Sequence, residues 1–504
     1  MKHPARWRAS ILLACFAMSA AAQPAAPTVS VARYAAADRV VDDYRRDAHV
    51  PGMVYGVVAD GRLIHIGSFG VQDIVSNRPV DADTVFRIAS MTKAFTALTI
   101  LSLRDQERVR LDTPAADYVP ELRAWKYPTT DTAPIRVRDL LNHTAGFVTD
   151  DPWGDRQTPM LEADFTRLLN DGVPFTNVPG MRFEYSNLGY ALLGRIITNV
   201  SKQPYDQTIA RTLLQPLGMQ ASGFVAGDVA PSRRALGYRW EDNAWRLEPT
   251  LGPGVFGAMG GLHVSANDYA KWVAYLLSAW PPRDGADDGP VRRASVRELA
   301  QGSNFARFRK RPARAGAPAS RQSIAYGMGM NAAIDDDLGF TLSHSGGYPG
   351  YGSHVLLLPD RGIGVFAFTN RTYGGASVAV WDAAMALDKA GLLGSERTRV
   401  PGRALSAAYA TAGAIYRAGS LAVAGDQLAM NFLLDREANG WAMDLAKLKG
   451  QVGSCDTGAA ISPTGELTGD FVWRCAHGRV KGSLNLAPTH PAGIQELLLA
   501  PILP

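Results

Sequence analysis

Apolar residues recur at helical spacing over 34–46, with Val40, Val41 and Tyr44 on one face, which predicts an amphipathic helix near the start. Two apolar runs, 53–58 and 63–66, flank Asp60-Gly61 and read as strands joined by a tight turn. Helical patterns return over 91–104, 188–199 and 265–277. The last opens on Ser265-Ala-Asn-Asp268, a start resembling a capping box. A second hairpin pattern, 355–358 and 363–368 around Pro359-Asp360-Arg361-Gly362, precedes an apolar helix over 377–390. Early strands, central helices and late strands with a closing helix predict an α+β fold whose antiparallel sheet is built from both ends of this segment.

Polar residues and Pro401-Gly402 fill 393–403 and mark a domain boundary. Beyond it, 428–434, 469–475 and 480–486 read as strands, predicting a small, mostly-β C-terminal domain over 404–504. No period of 20–50 residues runs through the chain, so it is not a repeat protein.

The first 22 residues follow another logic. Lys2, Arg6 and Arg8 precede the apolar run 11–18 and then Ser19-Ala20-Ala21-Ala22-Gln23, the layout of a secretory signal peptide cleaved near Ala22. The run is too short to span a bilayer. Cys15 offers lipoprotein anchoring as an alternative, which fits less well because apolar residues continue past it. The expected location is periplasmic or secreted, with no membrane span in the mature chain. The organisation read from the sequence is a leader (1–22), a main domain (31–395) and the accessory domain (404–504).

Composition narrows the function classes. Of 504 residues, 46% are hydrophobic and 20% charged, which excludes a disordered chain and a membrane bundle. The net charge of +5 hints at an acidic partner, but cleavage removes three basic residues and leaves +2. One basic run remains, Arg307, Arg309, Lys310, Arg311 and Arg314, read as a solvated loop rather than a nucleic-acid surface. Cleavage also leaves Cys455 and Cys475, and an even count in an exported chain favours a disulfide.

Three short motifs carry chemistry. In Ser90-Met-Thr-Lys93, the Ser and Lys share a face at the opening of a predicted helix. Ser90 alone would be an ordinary N-cap. Lys at the third position opposes the helix dipole, and burial there would favour a free amine able to take the Ser90 proton. The Ser90 backbone N–H is also poised for an oxyanion. Tyr185-Ser186-Asn187 opens a second helix, and a neighbouring cation is expected to lower the Tyr185 pKa from about 10 for proton shuttling. His344-Ser345-Gly346-Gly347 lies just before the late hairpin, with glycines that let a substrate backbone approach.

These motifs, in this order, resemble the three signatures of the penicillin-recognising serine hydrolases: class C β-lactamases, D-Ala-D-Ala carboxypeptidases, and related esterases and D-aminopeptidases. Asp139-Leu-Leu-Asn-His143-Thr-Ala-Gly146, Pro216-Leu-Gly-Met219 and Gly260-Gly261 add to the likeness, which covers roughly 34–391. The resemblance implies a β-lactamase-like antiparallel sheet flanked by helices, with a helical subdomain and the site between them. It implies Ser90 as nucleophile, Lys93 as its activator and Tyr185 as proton shuttle. Asn187 would contact Lys93 and the substrate amide, and the Ser90 and Gly347 N–H groups would form the oxyanion hole. His344, Ser345 and Gly346 would border the substrate.

One departure matters. His344 stands where class C enzymes usually have Lys, and a His titrating near about 6.5 predicts that any preference for carboxylate-bearing substrates strengthens below that pH. The expected activity is hydrolysis of an ester or amide, as in a D-amino-acid peptide or a short ester, through a Ser90 acyl-enzyme. The alternatives are a β-lactamase or a sensor that is acylated without turnover. No metal or organic cofactor is implied: the nine His include no His-Glu-x-x-His, and there is no Cys-x-x-Cys. An α/β-hydrolase elbow is poorly matched, since Gly375-Ala-Ser377-Val-Ala379 lacks the final Gly. The expected partner is a small molecule or peptide and not nucleic acid, and nothing fixes an oligomeric state. Pocket specificity is expected from 147–157, with Asp150, Asp151 and Trp153.

Overall fold

A computed structural model describes residues 31–311, 319–397 and 399–503. The proposed leader, its Ala22 cleavage site and Cys15 lie outside the described residues. Among those described, no helix is long and apolar enough to cross a membrane.

The chain opens with helix α1 (Ala35–Asp47) and the hairpin β1 (Gly52–Ala59) and β2 (Arg62–Asp73), followed by the two-residue strand β3 (Arg78–Pro79). Helices α2 (Thr92–Asp105), α3 (Asn187–Ser201) and α4 (Ala266–Leu277) come next. Six strands follow: β4 (Asn304–Arg311), β5 (Ser320–Tyr326), β6 (Asn331–Asp335), β7 (Gly339–Tyr348), β8 (Tyr351–Leu358) and β9 (Ile363–Thr369); then comes helix α5 (Ala376–Lys389). The nine strands form one sheet in the order β3-β2-β1-β9-β8-β7-β6-β5-β4. Its centre joins the two ends of the segment, with Met53 opposite Thr369 and Ala59 opposite Ile363, all antiparallel.

Period-two alternation sends neighbouring side chains into different cores. Val54, Val58, Leu357, Phe366 and Phe368 join the core that includes Phe95 and Leu98 of α2 and Leu192 and Ile196 of α3. Met53, Tyr55, Val57, Leu356 and Val365 join a second core with Val41 of α1 and Val380 of α5. Covering both faces is why these strands read as unbroken apolar runs. Helix α4 is capped as expected, the Ser265 hydroxyl accepting from the Asp268 N–H at 3.2 Å.

The basic run is a correction to the sequence reading. Residues 307–311 are not a loop but part of β4, the outer strand of the sheet, paired through Lys310–Arg321 and Arg311–Ser320. Phe305 and Phe308, interleaved with the charges, were the strand signal. Arg311 is held by Asp335 and Asp337, both at 2.9 Å, so part of the run is paired charge. Arg314 lies outside the described residues.

The C-terminal region has its own core and an antiparallel sheet of β10 (Ser462–Pro463), β11 (Thr468–Cys475), β12 (Gly478–Leu486) and β13 (Ile494–Ile502). The expectation of a mostly-β domain omitted two helices, α6 (Arg403–Ala418) and α7 (Ala438–Val452), which bring Leu405, Ile415, Tyr416, Leu445 and Leu448 to that core. The strand expected over 428–434 is also absent. Leu428 makes a lone bridge to Ile494, and Phe432–Asp435 is a helical turn. There Phe432 is buried and stacks on Trp441, while Leu433 and Leu434 stay exposed, so burial does not alternate. Cys455 and Cys475 are disulfide-bonded.

Candidate active site

Ser90 sits in a 3-10 turn, Ala89–Met91, that leads directly into α2. Ala89 has φ +48°, a backbone conformation uncommon for a residue with a side chain. Packing holds it there. Ser353 of β8 donates to the Ile88 carbonyl at 2.7 Å. Gly346 of β7 lies against the same turn, where a Cβ would collide with Ser353 Oγ and the Ile88 carbonyl. The glycine thus permits the close approach of β7 to Ser90. Arg87, fully buried, ties the strand before the turn to a segment more than 160 residues further along by donating to the Gly260 and Leu251 carbonyls, each at 3.1 Å.

Lys93, on the first turn of α2, is also fully buried. Its Nζ has three partners: Ser90 Oγ at 3.0 Å, Asn187 Oδ1 at 2.7 Å and the Met259 carbonyl at 3.0 Å. The last two can only accept. In a neutral amine they take both N–H bonds, leaving the lone pair directed at Ser90 Oγ. Burial lowers the Lys93 pKa to about 8, against the opposing pull of Asp151, Asp155 and Asp150.

Tyr185 lies over Lys93, its ring centre 4.9 Å from Nζ, and lines the same cavity as Ser90. The expected depression of its pKa does not occur. Burial, followed by the charge of Asp151, pushes it well above 10, so the phenol keeps its proton. Beneath it lies His143, ring centres 4.3 Å apart, whose Nδ1 accepts the Ser186 N–H at 3.1 Å. Ser186 caps α3 by accepting the Gly189 N–H at 3.3 Å, which leaves Asn187 free for other partners. The Asn187 amide has a fixed sense: Oδ1 faces Lys93, and Nδ2 donates to Asp151 Oδ1 at 3.0 Å.

His344 departs from expectation. Its Nδ1 faces the Ser345 carbonyl at 2.6 Å and therefore carries the proton, so Nε2 accepts from the Tyr326 hydroxyl at 3.0 Å. Both nitrogens are occupied by protein. Burial, then the Lys93 charge, lowers its pKa to about 3 rather than the expected 6.5. Ser345 Oγ pairs with His354 Nδ1 at 2.8 Å.

Ser90, Tyr185, His344, Ser345 and Gly347 line one cavity of about 310 Å³. Within the segment expected to set specificity, Asp151 does line it. Asp150 instead accepts the Asn187 and Leu188 N–H groups at 2.6 and 2.9 Å. Trp153 packs edge-on against Phe256 and does not line the cavity. Asp155, from the same segment, lines it too; Phe183, Tyr326, Asn331 and Tyr373 were not singled out from the sequence, and Arg307 was read there as solvated. Tyr373 donates to Asp155 at 2.9 Å, and burial raises the Asp155 pKa to about 7. Arg307 forms no ion pair with a described residue; its interleaving with Phe305 and Phe308 was the signal that could have brought it forward.

Known proteins share this framework. A family model described as Beta-lactamase matches residues 37–390. Protein flp of Staphylococcus aureus (strain COL) is 28% identical over 339 residues, 66% of this chain. The chain spans 62% of the length of that relative, under two thirds. Uncharacterized protein MT1414 of Mycobacterium tuberculosis (strain CDC 1551 / Oshkosh) is 30% identical over 305 residues, covering 55% of this chain and 73% of that one. An octameric penicillin-binding protein homologue from Pyrococcus abyssi superposes with a TM-score of 0.58 at 21% identity, over 90% of this chain and 96% of that one, a likeness of fold. The family match takes in Ser90, Lys93, Tyr185 and His344 and stops short of the C-terminal sheet: the chain belongs to the Beta-lactamase family.

Proposed function

We propose that this chain is an exported serine hydrolase that cleaves an ester or amide, of the class of D-amino-acid peptides, amides and short esters, through an acyl-enzyme on Ser90. The observation that carries this reading is the partner set of Lys93, two obligate acceptors and one hydroxyl.

As a neutral amine, Lys93 takes the Ser90 proton while Oγ bonds to the substrate carbonyl carbon. The oxyanion meets the Ser90 and Gly347 N–H groups. The intermediate collapses, and the leaving amine or alcohol departs with a proton relayed from Lys93 through the Tyr185 hydroxyl. A phenol that stays protonated suits this relay, giving one proton as it receives another. Water then attacks the Ser90 ester by the same route in reverse and restores the free enzyme. His344, with both nitrogens engaged, serves as a strut under the substrate-facing strand, and Arg307 is the fixed cation available to an acidic substrate end. The basic-apolar start with Ala20-Ala21-Ala22 supports export.

The test is a hydrolysis panel on wild type and Ser90→Ala: a short-chain p-nitrophenyl ester, a D-Ala-D-Ala peptide, a D-amino-acid amide and a cephalosporin. Wild-type turnover of the ester or a D-amino-acid substrate, abolished in Ser90→Ala, is the expected result. Equal rates in the two proteins refute it, and a burst without steady-state turnover favours an acylated sensor.

A further inference from the structure

Asn187 is the pivot of the site, because the sense of its side-chain amide decides what Lys93 can do. An amide can turn over by half a rotation, exchanging its carbonyl oxygen for its NH2 group with almost no change of shape. With Oδ1 towards Lys93, the amine spends an N–H on it and keeps a lone pair for Ser90. With the NH2 group towards Lys93, the lone pair would instead be drawn to Asn187, and the Ser90 proton would lose its acceptor.

What selects the first sense is on the far side of the amide. Asp151 Oδ1 lies 3.0 Å from Asn187 Nδ2, and a carboxylate oxygen accepts from an NH2 group and repels a carbonyl. The backbone of Asn187 is fixed separately, by Asp150 at 2.6 Å, so Asp151 acts on the side chain alone.

We infer that Asp151 is a positioning residue for the reaction proposed above: it locks the Asn187 amide so that Lys93 presents its lone pair to Ser90, and its carboxylate sets a countercharge behind that amide. The inference rests on the acyl-enzyme reading. The groups facing Lys93 are Ser90, Asn187, the Met259 carbonyl, and the rings of Tyr185 and Tyr190 at 4.9 and 5.4 Å. Asp150, Asp151 and Asp155 act on it through charge, and Asp151 leads them. The His143 and His344 rings, both held neutral by burial, add no competing charge.

The two roles separate by substitution. Asp151→Asn keeps an acceptor for Asn187 Nδ2 and loses the charge; Asp151→Ala loses both. The probe is p-nitrophenyl acetate with the full chain, kcat and kcat/KM being measured from pH 6 to 10. Removing a negative charge disfavours the ammonium, so the acidic limb of the Asp151→Asn profile moves to lower pH by at least half a unit, with a plateau within threefold of wild type. In Asp151→Ala, kcat falls at least tenfold while KM stays within threefold. An unshifted limb in Asp151→Asn, or wild-type kcat in Asp151→Ala, overturns the assignment. If Asp151→Ala does not fold, the Asp151→Asn limb decides alone. Failure of the underlying reading looks different: Ser90→Ala would then hydrolyse the ester like wild type, whatever stands at 151.

Discussion

Lys93 Nζ donates to the Met259 carbonyl at 3.0 Å, and Met259 belongs to a turn, Gly257–Gly260, that the chain reaches more than a hundred and fifty residues later. This acceptor never returns a proton, so the protonation state of Lys93 rests on burial and the nearby carboxylates. With its pKa lowered to about 8, kcat/KM should climb with pH towards 8 and level off above it. Lys93→Arg, which keeps a cation but no usable base, should cost about 10²–10⁴ in kcat at pH 8.

The same burial makes stability pH-dependent. Unfolded Lys93 holds its proton up to about pH 10.4, whereas the folded protein sheds it near 8. Between those values the unfolded state binds more protons, so stability rises with pH. Urea unfolding of wild type and Lys93→Met at pH 7 and pH 10 checks this: the variant should lose ground relative to wild type by on the order of 2–3 kcal/mol across that window.

His344 titrates far below the working range, so any preference for carboxylate-bearing substrates should be flat from about pH 5 to 8 at this position. Arg307→Met should lower kcat/KM for a carboxylate-bearing substrate about tenfold and leave a neutral ester within twofold, as expected for loss of one charge-assisted contact. A panel of matched acid and amide substrates at three pH values reads both effects.

Gly346→Ala places a methyl group where Ser353 Oγ and the Ile88 carbonyl already stand. Neither partner is a flexible tip, so β7 must move away from the Ser90 turn. We expect a stability loss of about 1–3 kcal/mol and a fall in kcat of about 10²-fold, because the oxyanion donors then lose register. Thermal unfolding and ester hydrolysis on the purified variant measure the two.

The disulfide joins residues 20 apart within the C-terminal core, which contains no residue of the main domain. Cys455→Ala/Cys475→Ala should lower the stability of that domain by on the order of 3 kcal/mol and leave ester hydrolysis unchanged. Calorimetry resolves the domain transition.

The hydrophobic pattern disclosed β1, β2, β8 and β9, which feed two cores and so leave apolar runs, and the helices that bury one face; β3 to β7 were not read as strands. It hid α6, whose buried face is largely Ala and Tyr around Leu405 and Ile415, and α7, which buries only Leu445, Leu448 and Val452, in a sequence that otherwise suggested strands. The packing of Lys93 against Ser90 was legible from their spacing at a helix start, and that of Asn187 against Lys93 from the family resemblance. The state of Tyr185 and His344 was not, since a pKa depends on what the fold packs around a group. Arg307, Asp155 and Tyr373 converge only through the sheet order and loop packing, which no local pattern encodes.

Ser353 steadies the Ile88 carbonyl from 265 residues further along the chain, and β1 pairs with β9 across a similar distance. A ribosome delivers Ser90 long before it delivers the strand that braces its turn. During synthesis the Ser90 turn therefore has no β7 against it and no completed sheet behind it. Under the function proposed above, reactivity waits on the docking of β7 and β8 against the Ser90 turn.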